Sequence, residues 1–242
     1  MRLPLPVYKL VNQYMGHHGC WHRLRDPSFT QQQRDACFPP GELFPHGLRD
    51  WTQQGSGVDF LRFHRMMIRN FKWILQQISP CSYAYHPWKE LPQWLAPLLD
   101  AMDPVYRDKL FLELSDMVNK STLDDLGRFI EGPEANDDFP QVHWLVHDLT
   151  AKYESIVFSP QPRANMADMA TACFNEHFWG FHGWIDHWYA QWQKNHGEEV
   201  DQSPTKPDHY PMCEYCREMK SEVSLLGHWD KYVKLRSQLP TR

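Results

Sequence analysis

The segment FWGFHGWIDHWYAQWQ, Phe178 to Gln193, places His182 four residues before Asp186 in an aromatic run whose large side chains recur at helical spacing. Upstream, VHWLVHD sets His143 and His147 four apart, on one face of any helix they share and within reach of one ion. Farther upstream, FLRFHRMMIRNF carries His64 on an apolar stripe. A histidine on the buried face of a helix needs a partner there, because an unpaired imidazole costs free energy in an apolar core. Three such segments constrain the chain to a helical bundle with a polar centre, and a metal ion between helices is one way to satisfy it. For His64 or His182 taken alone, a hydrogen-bonded core histidine is the competing reading.

The 242 residues, 42% of them hydrophobic, suit a single globular domain with a sizeable core. The expected domain covers residues 1–242, with a motif-bearing core over 45–195 and a C-terminal Cys-containing extension over 197–242. A formal charge of -5 without a Lys/Arg-rich patch argues against nucleic acid as a partner. No apolar run approaches the roughly 18 residues that span a bilayer, and MRLPLPVYKLVNQYMGHH lacks the apolar core of a secretion signal, so a soluble, cytoplasmic protein without a membrane partner is expected. Cys20, Cys37, Cys81, Cys173, Cys213 and Cys216 are too sparse for a disulfide scaffold, and most are expected to be reduced. Oligomeric state is not legible. With 14 histidines and 11 tryptophans, the composition favours a wide core with polar groups embedded in it.

The fold class expected is all-α, a helical bundle with long irregular loops. Leu5 to Tyr14 reads as a short helix. Gly16 to Asp50 reads as loop, punctuated by Pro27, Pro39, Pro40 and Pro45. Asp59 to Ile78 is a strong helix, with Phe60, Phe63, Met67, Phe71, Ile74 and Leu75 at spacings of three and four. Helices are also expected over Pro104 to Val118, Thr122 to Ile130, Pro140 to Tyr153 and Asn165 to Lys194, the last being the longest. A polar loop from Gly197 to Pro211 leads to a final helical segment, Met212 to Leu235.

Phe178 to Gln193 resembles the second-copper helix of the type 3 copper family, the tyrosinases and catechol oxidases, matching at Phe178, Trp179, His182, Ile185, Asp186, Trp192 and Gln193. FLRFHR, Phe60 to Arg65, is similar to that family's first-copper motif. Ala84 to Trp88 stands where the family has a Tyr- and Trp-containing loop. His46, in HGLRDW, resembles its first ligand. The resemblance spans Pro45 to Gln193. It implies a tyrosinase-like metal site held by His46, His64, His143, His147 and His182, two coppers as cofactor, and an oxidoreductase or monooxygenase that uses dioxygen on a phenol, o-diphenol or o-aminophenol.

Gly55 stands where the family carries a further histidine, which leaves His17, His18, His22 or His86 to complete the first copper site. Cys20-Trp21-His22 is similar to the thioether-forming Cys-x-His of some members. Trp144 follows His143 where phenol-hydroxylating members carry a small polar residue, which weighs against hydroxylation. Asp148 and Asp186 are candidates for fixing imidazole tautomers, with Asp186 structural in the family. Arg65 and Lys72 read as solvated flank charges, and the tryptophans from Trp179 to Trp192 as packing. Two alternatives stand beside the copper enzyme: a one-metal or other-metal oxidase of a non-phenolic substrate, and a non-catalytic metal-binding member. Cys213 and Cys216, with His209 and His228 nearby, could form a zinc site or a redox pair, or simply pack.

Overall fold

The computed structural model describes residues 3–15, 17–78, 84–101, 105–132, 142–158, 164–168 and 171–207. Among them are nine α-helices and no β-strand, so the chain is all-α. The helices are α1 (Leu5–Tyr14), α2 (His18–Leu24), α3 (Gln31–Cys37), α4 (Ser56–Gln76), α5 (Ala96–Asp100), α6 (Tyr106–Lys120), α7 (Leu123–Glu131), α8 (Val142–Val157) and α9 (Glu176–Asn195). The segment Met212 to Leu235 lies outside the described residues.

Two departures from the sequence reading matter. The stretch expected to be loop, residues 16 to 50, holds α2 and α3. Its four prolines fall after α2 and after α3, so they limit these helices to 7 residues each without forbidding them. Thr30 and Gln33 form a reciprocal capping box that starts α3. The helix expected from Asn165 begins only at Glu176. Asn175 is extended and its side chain accepts the His177 backbone N–H at 3.0 Å, an N-cap that sets the boundary. This leaves α4, at 21 residues, slightly longer than α9 at 20.

Helices α4 and α9 form the centre, α4 packing on α1, α7 and α9, and α9 also on α6 and α8. Trp179 of α9 stacks on Phe71 of α4 with ring centroids 3.8 Å apart, and Trp21 of α2 stacks on Phe63 of α4 at 4.1 Å. Val7, Val11, Trp21 and Leu24 are fully or almost fully buried, so the core extends back to α1 and α2. Trp179, Trp184 and Trp192 pack inside it. No helix among the described residues is long and apolar enough to cross a membrane.

Helices α4 and α7 approach closely. A Cβ on Gly127 would lie 2.0 Å from the Gly57 carbonyl oxygen, and one on Gly57 would lie 2.1 Å from the carbonyl of Asp124. The Asp124 carboxylate accepts the N–H groups of Gly55 and Gly57, both at 2.8 Å, and so caps α4 from the start of α7. Because Gly127→Ala drives backbone against backbone, it should destabilise the protein by about 3 kcal/mol, the upper range for overpacking. The urea midpoint checks this, and an unchanged midpoint would mean that the crossing is looser than described.

Candidate metal centre

Six histidines meet at the middle of the bundle. His18 and His22 come from α2, His64 from α4, His143 and His147 from α8, and His182 from α9, each between 0% and 4% exposed. The helices divide into two similar pairs. In each, one helix presents His-x-x-x-His (His18 and His22; His143 and His147) and a later one presents Phe-x-x-Phe-His (Phe60 to His64; Phe178 to His182). The ligand atoms form two groups, each within 4.8 Å: His18, His22, His64 and His143, and then His143, His147 and His182. These buried clusters could hold metal.

The hydrogen bonds fix which nitrogens face the centre. The Nδ1 atoms of His64, His147 and His182 lie 2.7 Å from the carbonyl oxygens of Phe60, Met166 and Phe178. A carbonyl only accepts, so each Nδ1 carries the proton and each Nε2 presents a bare lone pair. The Nε2 atoms of His64 and His147 are buried without a hydrogen-bond partner. The Nε2 atoms of His18 and His22 are 3.1 Å apart, and those of His143 and His182 are 3.3 Å apart. Two nitrogens bound tetrahedrally to one ion at 2.0–2.1 Å would be about 3.3 Å apart, so the spacing fits shared coordination. Burial, and for most of them repulsion between neighbouring imidazoles, lowers the pKa of all six; His147, where burial acts alone against the Met166 hydrogen bond, is held at about 4. Six neutral donors are ready for a cation.

Of the expected ligands, His64, His143, His147 and His182 are brought together, and His46 is not. The chain turns at Gly47, which has φ 76°, sending Leu48 into the core and leaving His46 exposed. The HGLRDW stretch serves ion pairs instead: Arg49 with Asp59 at 2.9 Å, and Asp50 with Arg34 at 3.2 Å. Among the candidates for the remaining positions, His18 and His22 join the cluster, His17 is half-buried beside it and His86 is exposed. Histidine at Gly55 would be strained here, because φ is 90° and a Cβ would lie 2.8 Å from the Arg49 guanidinium. The signal that identifies α2 is in the sequence: His18 and His22 repeat the spacing of His143 and His147.

Other expectations are corrected as well. Arg65 is buried, not solvated. It donates to the Asp186 carboxylate and the Gln193 side-chain oxygen, and lies 3.9 Å over the Tyr189 ring. Lys72 is half-buried and donates to the Gln202 carbonyl at 3.2 Å. Asp186 is therefore a structural ion-pair partner, and backbone carbonyls rather than Asp148 or Asp186 fix the tautomers of His64, His147 and His182. Cys20 and Cys37 are each disulfide-bonded, and Cys173 is free and buried. A Cys20 in a disulfide cannot also form the thioether. Cys81, Cys213 and Cys216 lie outside the described residues, as do His209 and His228.

Two further buried polar locks place the histidine-bearing helices. At the end of α2 the fully buried Arg25 donates to Glu131 of α7 at 2.6 Å and to the Ser56 carbonyl of α4 at 2.9 Å, and lies 4.5 Å from the Trp21 ring. Burial lowers the Arg25 pKa and raises that of Glu131 to about 7, and each charge partly offsets the other's shift. At the other end, Glu154 of α8 accepts two hydrogen bonds from Asn175, the N-cap of α9, and faces His177 Nδ1 at 2.9 Å. Burial raises the Glu154 pKa, but these hydrogen bonds outweigh it and hold the carboxyl below its usual range.

No known family model matches the chain, and no curated protein matches it.

The imidazole cluster sets the acid stability of the metal-free protein. Once unfolded, the six histidines regain pKa values near 6.5, so below that pH the unfolded chain binds more protons than the folded one. Stability should therefore rise with pH through this window. As pH falls below 6.5 it should be lost by ~1.4 kcal/mol per unit per imidazole, for His147 down to about pH 4. Denaturant midpoints from pH 7.5 to pH 5 check the sign, and a flat profile would mean that the imidazoles are protonated or solvated in the fold. Arg25→Met should cost about 3 kcal/mol by leaving Glu131 buried without its partner, and a second change, Glu131→Leu, should recover most of it. A double-mutant cycle reads that coupling.

Proposed function

We propose that this protein is a dinuclear copper oxidoreductase that uses dioxygen to oxidise an o-diphenol or o-aminophenol-type aromatic substrate, with hydroxylation of a phenol as a lesser activity. The observation that carries this reading is the convergence of six buried, neutral imidazoles, three of which, His64, His147 and His182, have Nε2 left without a proton. Among the described residues, neither cluster includes a carboxylate or a thiolate. An all-imidazole set suits copper, zinc, iron or nickel and disfavours magnesium or calcium. The choice of copper rests on the resemblance of FLRFHR and of the Phe178 to Gln193 segment to type 3 copper proteins.

His18, His22 and His64 would hold one ion, and His143, His147 and His182 the other, with His143 near both. Bound there, such a pair supplies electron exchange with dioxygen. The residues of the chain do the rest. The carbonyls of Phe60, Met166 and Phe178 orient three of the imidazoles before any ion arrives, which lowers the cost of assembling the site. The rings of Phe60, Phe63, Phe178 and Phe181 enclose the histidines and exclude water. The partly exposed Trp144 ring lies 5.2 Å from His22 and 5.1 Å from His143. Its bulk beside the ligands, in place of a small polar group that could hold a deprotonating water, supports diphenol oxidation over phenol hydroxylation. In balance, each diphenol gives up two electrons and two protons to become a quinone, and two such events reduce dioxygen to water.

Loading metal-free protein with cuprous copper under exclusion of air should give two coppers per chain and oxygen uptake with catechol. His18→Gln and His147→Gln should each lower the copper content and abolish uptake. A second reading, an oxidase with one ion or another metal acting on a non-phenolic substrate, draws support from the membership of His143 in both clusters. One ion per chain would favour it. Two coppers with no oxygen uptake on any phenolic substrate would favour a binding protein without catalysis.

A further inference from the structure

The clustered histidines are buried, so an ion must reach them past other side chains. Beside His18 is a cavity of about 20 Å³ between the α1–α2 junction and one face of α4, lined among others by Met15, His17, His18, Met66, Met67 and Asn70. About 10–15 Å³ accommodates one water-sized body, whereas pockets for drug-sized ligands run to roughly 300 Å³ or more, so this space fits an ion and not an aromatic ring. Its lining is graded. His17 and Met66 are half-buried, Met15 and Met67 are 5% and 2% exposed, and His18 is both a wall of the cavity and a member of the first cluster.

Three of the chain's 10 methionines meet here. Met commonly fills irregular gaps in a core. Here, however, the three flank an open space between two histidines, one toward the surface and one in the buried cluster. Thioethers are soft ligands that select cuprous copper over harder divalent ions.

We propose that this cavity is the inlet for cuprous copper, with the thioethers of Met66, Met15 and Met67 receiving the ion between His17 and His18, and His18 passing it to the buried site. The proposal rests on the copper reading above and adds to it a route and a selectivity for oxidation state. Transfer is ligand exchange without change of redox state.

The test is the rate of metal uptake by the full-length metal-free chain under exclusion of air. Cuprous copper, supplied from a competing chromophoric chelator, is compared with cobalt(II), in wild type and in the Met15→Leu/Met66→Leu/Met67→Leu variant. Leucine keeps volume and removes only the sulfur. Cuprous uptake should slow by about tenfold or more, the scale on which residues outside a ligand set alter metal binding. Cobalt uptake and final copper content should stay as in wild type. Should the triple variant not fold, Met66→Leu alone, at a half-buried position, gives the same comparison. Equal cuprous rates in wild type and variant, or equal slowing of both metals, would overturn the inlet while leaving the copper reading intact. A wild type that takes up no copper at all would instead overturn the copper reading, and the inlet with it.

Discussion

The structure depends on keeping six uncharged imidazoles in a space without water. Each buried nitrogen lacking a partner carries a desolvation cost of about 1–3 kcal/mol. His18, His64, His143 and His147 each contribute one such atom. A core built only for stability would replace these rings with leucine or phenylalanine. The cost is offset when a cation accepts the lone pairs. Metal binding and folding are then two parts of one free energy, and protons compete with the ion for the same nitrogens.

Such an arrangement needs helices fixed to within fractions of an ångström, and the fold provides this with buried polar contacts at three places around the cluster. Arg25 ties the end of α2 to α4 and α7. Glu154 and Asn175 tie α8 to the start of α9. Arg65 and Asp186 join α4 to α9, and so link the two histidine-bearing helix pairs. Buried ion pairs contribute little net stability against an apolar alternative, but they reject arrangements that leave a charge unpaired. Here they hold register. The Gly57–Gly127 contact does the same by sterics, since only that pair of residues lets α4 and α7 approach so closely.

Much of this was legible in the sequence where one helix carries its own pattern. The stripe of α4, the capped helix from Leu123, and the histidines of α4, α8 and α9 follow from periodicity and spacing. What failed depended on contacts distant in sequence. His46 looked like a ligand because of its neighbours in HGLRDW, yet the left-handed turn at Gly47 orients it to solvent, and no local pattern announces that turn as decisive. Arg65 looked like a surface charge because its partners Asp186 and Gln193 lie more than a hundred residues away. The start of α9 was placed too early because Asn175 is a cap by virtue of its bonds to Glu154 and Ala164, not of its place in the apolar pattern.

Helix α2 shows why the first half of the centre was hardest to see. At 7 residues it is far below the length at which a helix in water is stable alone, and no side chain caps its start. Its sequence, HGCWHRL, offers little propensity to compensate. What holds it is tertiary: the Trp21 stack on Phe63, the Arg25 bonds across to α4 and α7, and the disulfide at Cys20, between its two histidines. A segment with four prolines after it reads as loop because propensity is the only thing a local reading weighs. The repeated His-x-x-x-His spacing survives that objection, since it asks only that the five residues from His18 to His22 make about one turn, and one turn is what these contacts secure.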